Sequence, residues 1–401
     1  MKPYGLILAG GGAKGAYQMG AWKAMREMGI KIEAIAGVSI GAINGALIAQ
    51  GDYDRALDLW NNVEVADGIN FPGELKDPSN LFSKSNMVQI VKEVIKNGGV
   101  DATPAKELIT EYIDEDKVRQ SSLPLGLVTY NLSGMKPVEI FIDEMENGKL
   151  IDYLMASARF PGLANQGPDD QSYFDGGVYD NAPISVLRDR GINRLIIVDI
   201  SAMKGMAHRQ DLSNAEIVFI RPYDPKDLGE SFEFEKEKNQ ERIEMGYLDT
   251  KKAFGFLAGR CFYFMPREYK ILQQKYGFRV ANDMELLAFS LGIERFKVYT
   301  AKQFVDELKK EYVEAKHETT EVRQVLGRKI IPRSEDRKEA LKAILSRDKK
   351  NYKFKYAIDI LEEMTDGMTP EVIAETEENT IVEEPETNGE IAEKGDTDKD
   401  V

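Results

Sequence analysis

The chain is short of several things that enzymes commonly rely on. Its 401 residues include one cysteine, Cys261, and two histidines, His208 and His317. A single thiol forms no intramolecular disulfide and no multi-cysteine metal cluster, so a reducing compartment is the natural setting. Two histidines leave little room for zinc chemistry, which draws on clustered His and Cys ligands. They also restrict the usual serine-hydrolase triad, whose base is an imidazole. Long apolar runs are missing too. The stretch Tyr4–Ala9 stops at Gly10, too short for a signal peptide's apolar region or for a membrane span. The longest run low in charge, 34–50, is broken by three glycines and Asn44 and reads as a buried strand followed by a helix. The expectation is a cytoplasmic protein, at most peripheral at a membrane.

Positive charge is also scarce: 53 Lys and Arg face 68 Asp and Glu, a formal net charge of −15. That excludes nucleic acid as the main partner, because neutralising phosphates needs a basic excess. The deficit is concentrated in one place. From Glu371 to Val401 there are 12 acidic and 2 basic residues with almost no aromatic content, so 367–401 is expected to be a disordered acidic tail. Conversely, Arg323–Lys355 holds 12 basic and 4 acidic residues. It reads as a solvated helix surface or as a patch for anionic lipid headgroups. What is present, 42% hydrophobic residues with 34 Gly and 15 Pro, suits a globular protein with a large core and a second module.

Strand-like and helical patterns alternate through 4–228. Tyr4–Ala9, Ile32–Val38, Leu125–Thr129, Val138–Ile142 and Arg194–Ile200 read as strands. Tyr17, Ala21, Ala24, Met25 and Met28 recur at helical spacing, and Ser39–Gln50 follows as a second helix. This alternation predicts a three-layer α/β/α domain with a mostly parallel central sheet. Residues 69–120 form an excursion near the sheet's mouth, with an amphipathic helix carrying Met87, Val91, Val94 and Ile95. Residues 229–366, where Phe304, Leu308 and Tyr312 share a helical face, are expected to be a mainly helical second region.

Three glycine-bearing motifs carry the chemistry. Gly10-Gly11-Gly12-Ala13-Lys14-Gly15 follows a strand and opens a helix. Backbone N–H groups at such a junction favour negative charge. The pattern also fits the dinucleotide fingerprint, with Glu33 available as a ribose-binding acid. Gly37-Val38-Ser39-Ile40-Gly41 lies between a strand and a helix, the context of a nucleophile elbow, although a plain N-cap serine fits as well. Asp175-Gly176-Gly177 follows the strand-like Ser172-Tyr173-Phe174. A serine needs a base before it can act as a nucleophile. Both histidines sit in charged, surface-like sequence, so a glycine-flanked aspartate is the candidate. Burial would help it by raising its pKa.

These motifs, in this order, resemble the patatin-like phospholipase family. Ala156-Ser157 before Pro161-Gly162, and Asn181 and Pro183 after Asp175, match its pattern as well, over roughly 4–225. The resemblance implies metal-free and cofactor-free hydrolysis of a fatty-acyl ester, from a phospholipid or related lipid, by a Ser–Asp dyad. Ser39 would be the nucleophile and Asp175 the base. N–H groups of Gly10, Gly11 and Gly12 would form the oxyanion hole, and Gly15, Gly37, Gly41, Gly176 and Gly177 would shape the turns. Lys14 reads as solvated and stays outside the site. Two alternatives stand beside this: a nucleotide-dependent oxidoreductase using the Gly10–Gly15 loop, and a non-catalytic lipid-binding or scaffold protein of the same fold. Oligomeric state is left open.

Overall fold

The computed structural model of the chain describes residues 2–64, 101–159, 168–169, 171–201, 212–325 and 354–370. The expected helix at Met87–Ile95, Pro161-Gly162, His208 and nearly all of Arg323–Lys355 lie outside the described residues, as does the acidic tail beyond 370. Two compact units make up the chain: Met1–Tyr269 with Arg295–Tyr299, and Lys270–Glu294 with Thr300–Val401.

The first unit is organised on a mixed seven-stranded sheet. Its strands are β1 (Tyr4–Leu8), β2 (Ile32–Val38), β3 (Leu125–Asn131), β4 (Lys136–Phe141), β5 (Tyr173–Asp175), β6 (Arg194–Val198) and β7 (Glu216–Ile220). The order is β4-β3-β2-β1-β6-β7, with β5 also pairing to β3. The pairings β1–β2, β2–β3, β1–β6 and β6–β7 are parallel. The strand expected at Val138–Ile142 is β4; a short turn after Asn131 folds it back antiparallel on β3, as hairpin connections require.

Both faces of the sheet are covered, which explains the uninterrupted apolar strands. Side chains alternate in direction along a strand. Leu6, Leu8, Ile35, Leu127 and Val198 therefore enter one core cluster. Ile7, Ala36, Val38, Val128 and Ile197 enter another. The first cluster also holds residues of α1 (Ala16–Glu27), α2 (Ile40–Gln50), α3 (Tyr53–Asn62), α4 (Thr103–Tyr112), α5 (Glu115–Gln120) and α6 (Leu150–Ser157). On the second, α7 (Ile184–Arg188) contributes Ile184, Val186 and Leu187.

One further helix, α8 (Lys236–Ala253), joins this unit and packs on α1. Its sequence is highly charged, yet Asn239, Arg242, Met245, Leu248 and Asp249 are buried. Reciprocal glycines set the closeness of the crossing. A Cβ at Gly20 would lie 1.8 Å from the Ile243 carbonyl oxygen, and one at Gly246 would lie 2.0 Å from that of Tyr17. Two short strands, β8 (Tyr263–Phe264) and β9 (Val298–Tyr299), form a separate parallel pair. Helix α9 (Pro266–Tyr276) spans the division between units.

The second unit is helical: α10 (Phe278–Leu291) packs with α11 (Ala301–Val325) and α12 (Lys355–Met364). Met284, Leu287, Phe304, Leu308, Tyr312, Ile358 and Leu361 are buried. Among the described residues no helix is long and apolar enough to cross a membrane.

Candidate active site

The chain moves from β1 toward β2 and β3 on one side and reaches β6 and β7 on the other, so the sheet changes direction of winding beside β1. Crevices at such a switch, outside the carboxyl ends of the strands, are where α/β sheets bind ligands. Two of the three motifs leave the sheet there, after β1 and after β2.

Ser39 joins β2 to α2 with φ 56° and ψ −130°, a positive φ that a non-glycine residue rarely adopts. Strain of this kind persists only where the surroundings impose it. Here Gly37 and Gly41 permit the turn. A Cβ on Gly37 would lie 2.3 Å from the Gly41 carbonyl oxygen, and one on Gly41 would lie 2.2 Å from that of Leu8. The Ser39 N–H donates to Ser157 Oγ at 2.9 Å, and Ser157 Oγ donates onward to the Val128 carbonyl at 2.6 Å. Ser39 also stands at the start of α2, whose N-terminal dipole favours negative charge.

Asp175 reaches Ser39 through strand pairing. Strand β2 pairs with β3 as far as Val38 opposite Val128. There the chain turns away into α2, and β5 takes the vacated edge of β3, placing Asp175 opposite Thr129. Successive rungs of one ladder thus put Asp175 beside the serine turn, with the Ser39 hydroxyl near enough to favour its ionised carboxylate. Gly177 N–H donates to Asp175 Oδ1 at 2.8 Å. Burial pushes the Asp175 pKa from 3.8 up to about 6, against the opposing pull of the Ser39 hydroxyl and the Gly177 N–H. Gly176 lies directly on β3, where a Cβ would be 2.3 Å from the Val128 carbonyl oxygen.

The glycine loop lies against the same turn. A Cβ on Gly10 would sit 3.1 Å from Ser39 Cβ. Gly10 N–H donates to the Asn181 carbonyl at 3.3 Å, and Asn181 Nδ2 donates back to the Gly10 carbonyl at 3.2 Å. Gly12 takes φ +59° and abuts Ser231, whose carbonyl oxygen a Cβ would meet at 2.1 Å. Gly15 packs on Ile40 and Trp60.

Lys14 is not solvated as its sequence context suggested. It is only 4% exposed, and burial lowers the pKa of its ammonium group despite the favourable charge of Glu230. Glu33 is also placed against expectation for a ribose-binding acid. It is exposed near the start of β2, level with the start of β1 and about 15 Å, at ~3.3 Å per strand residue, from the glycine loop. His317 is exposed on α11 in the second unit. Among the described residues no group of three His, Cys, Asp or Glu side chains is placed to hold a metal ion.

Several supporting residues were not assigned roles from sequence. Ser157 and Asn181 were visible only as parts of a pattern. Thr129 Oγ1 lies 3.0 Å from the carbonyl oxygens of both Ala156 and Phe174, its single proton available to either, and so links α6 to β5. Behind the loop, Asn44 Nδ2 donates to the Gly15 carbonyl at 3.0 Å and to Gln18 Oε1 at 2.7 Å. Gln18 Nε2 donates to the Ala9 carbonyl at 2.7 Å. Fully buried polar side chains on otherwise apolar helices were the available signal, because such groups require partners.

A strained serine at the end of a parallel strand, followed by a helix and flanked by a carboxylate, has the backbone geometry of a strand–turn–helix elbow on an α/β sheet. Residues 6–188 match the family model described as patatin-like phospholipase. Lysophospholipase NTE1 of Cryptococcus neoformans var. neoformans serotype D (strain JEC21) is 29% identical over 227 residues, 55% of this chain and 13% of that protein. Patatin-like phospholipase domain-containing protein 7 of Rattus norvegicus is 25% identical over 221 residues, 52% of this chain and 14% of that protein. The chain thus spans about a seventh of these relatives' length. The crystal structure of VipD from Legionella pneumophila aligns with a TM-score of 0.38 at 14% identity, covering 95% of this chain and 87% of that one.

Proposed function

We propose that the chain hydrolyses fatty-acyl esters of phospholipids or lysophospholipids through a covalent acyl-serine intermediate. The observation that carries this is the placement of Asp175 by β5 on the rung of β3 next to the strained Ser39 turn, where the Ser39 hydroxyl favours the ionised carboxylate. Asp175 accepts the hydroxyl proton as Ser39 Oγ attacks the ester carbonyl, forming the C–O bond of a tetrahedral intermediate. The oxyanion rests on the N–H groups of Gly11 and Gly12, since the Gly10 N–H is already committed to Asn181. The N-terminal field of α2 adds to their effect. As the intermediate collapses, Asp175 hands its proton to the departing alcohol. Water then repeats the sequence: Asp175 takes a proton from it, hydroxide adds to the acyl carbonyl, and Ser39 leaves with the proton and releases the fatty acid.

A pKa near 6 suits this work, leaving the carboxylate ionised at neutral pH yet more basic than an exposed aspartate. The substrate's acyl chain implies peripheral contact with a lipid surface. The test is direct. Purified protein should hydrolyse a p-nitrophenyl acyl ester without added metal and be labelled by a fluorophosphonate at Ser39. Ser39→Ala should abolish both. Lipid-vesicle binding with no turnover of any acyl ester would instead favour a non-catalytic lipid binder.

A further inference from the structure

We infer that Arg242 on α8 is a positioning residue for the glycine loop, acting through the turn 228–233. The inference rests on the proposal that the Gly11 and Gly12 amides bind the oxyanion. Arg242 is 1% exposed and clamps both shoulders of that turn. Its Nε donates to the Leu228 carbonyl at 2.8 Å, and its Nη1 donates to the Glu233 carbonyl at 2.7 Å. Its Nη2 pairs with Glu233 Oε2 at 2.8 Å, and the same carboxylate accepts the Glu230 N–H at 3.3 Å. Ser231, between the shoulders, turns its carbonyl oxygen toward the loop and accepts the Ala13 N–H at 2.8 Å. Gly12 lies against the same carbonyl, so a shift of Ser231 displaces the residue whose amide faces the reaction.

A second arm leaves the same helix. Asn239 Oδ1 accepts from Arg242 Nη1 at 3.1 Å, and Asn239 Nδ2 donates to the Trp60 carbonyl at 2.9 Å. Trp60 Nε1 donates to Asn44 Oδ1 at 3.0 Å, and Asn44 holds the Gly15 carbonyl. The loop is therefore gripped at Ala13 and at Gly15 from one helix that lies beyond the matched residues 6–188. Only a planar, forked cation reaches two carbonyls and a carboxylate together; an ammonium group does not.

The test uses Arg242→Lys and the milder Glu233→Gln in the full chain. Rates are expressed per serine titrated with a fluorophosphonate, so that loss of folded protein does not count as loss of rate. Removing one oxyanion donor costs about 100- to 1000-fold, so a displaced donor should lower kcat per titrated serine at least tenfold in Arg242→Lys and less in Glu233→Gln. KM and the Asp175-controlled pH profile should stay as in the parent. Hydrogen exchange of the peptide 9–16 should quicken about tenfold while the β1 core stays protected. Parental kcat per titrated serine in both variants would overturn the inference. If the parent itself turns over no ester, the hydrolase proposal falls, and hydrogen exchange alone decides: unchanged protection of 9–16 refutes the brace.

Discussion

Asp175→Asn should abolish turnover and at the same time make the first unit more stable. In the folded chain the carboxyl titrates at about 6, against 3.8 for an unperturbed aspartate. Folding thus disfavours its ionised form by about 2 pH units, or about 3 kcal/mol at ~1.4 kcal/mol per unit. The folded chain holds this proton more tightly than the unfolded chain. Between pH ~4 and ~6 the unfolded state binds fewer protons, so this group's contribution to stability falls as pH rises. The cost is complete above pH ~7, about half remains at pH 5, and less than ~1 kcal/mol is left at pH 4. Asparagine keeps the shape and an acceptor for the Gly177 N–H, and it carries no charge to desolvate. The variant should therefore gain about 3 kcal/mol at pH 8, which for a unit of this size is about 6 °C in Tm. Trp22 and Trp60, the chain's two tryptophans, both lie in the first unit and report its unfolding. Urea titrations of parent and variant at pH 8, 5 and 4 measure the difference. Equal stability at pH 8, or a gain that does not shrink in acid, would refute the burial argument.

On the proposed mechanism only ionised Asp175 accepts the serine proton, so kcat/KM for a soluble ester should rise through an inflection near pH 6 and level off above it. A profile flat from pH 5 to 8 would remove Asp175 as the base. Gly37→Ala drives a methyl group to 2.3 Å from the Gly41 carbonyl oxygen. It should cost at least about 1–3 kcal/mol in urea unfolding and abolish Ser39 labelling; parental labelling would show that the turn tolerates a side chain. Ser157→Ala strips the Ser39 N–H and the Val128 carbonyl of their shared partner. A loss of about 1–3 kcal/mol is expected, with kcat reduced more than KM is raised, and a neutral result would deny Ser157 its bracing role.

Much of the domain was legible because its signals are local. A strand stretch buried on both faces must be apolar at every position, so Ala34–Val38 and Leu195–Val198 announced themselves. Glycine beside Ser39 marked a turn that larger residues would block. Helix α8 was not legible in this way. Its charged sequence reads as solvent-facing, and only the Gly20–Gly246 crossing and the partners gathered around Arg242 explain its burial. Lys14 was misread for the same reason, since the cover over a side chain comes from residues distant in sequence.

By itself, then, the sequence determined the chemistry on offer: few imidazoles, one thiol, a serine between glycines and an aspartate before two more. Residue type and spacing along the backbone are enough for that, because turn geometry and nucleophile identity are local properties. Only the tertiary structure decided that Asp175 meets Ser39. The two are 136 positions apart, and no spacing rule joins them. They meet because β2 stops pairing with β3 one rung short of where β5 begins, so the edge of a single strand carries the strand that leads to Ser39 and then Asp175. The carboxylate's raised pKa belongs to that arrangement too, since burial is a property of the packed fold and not of the residue.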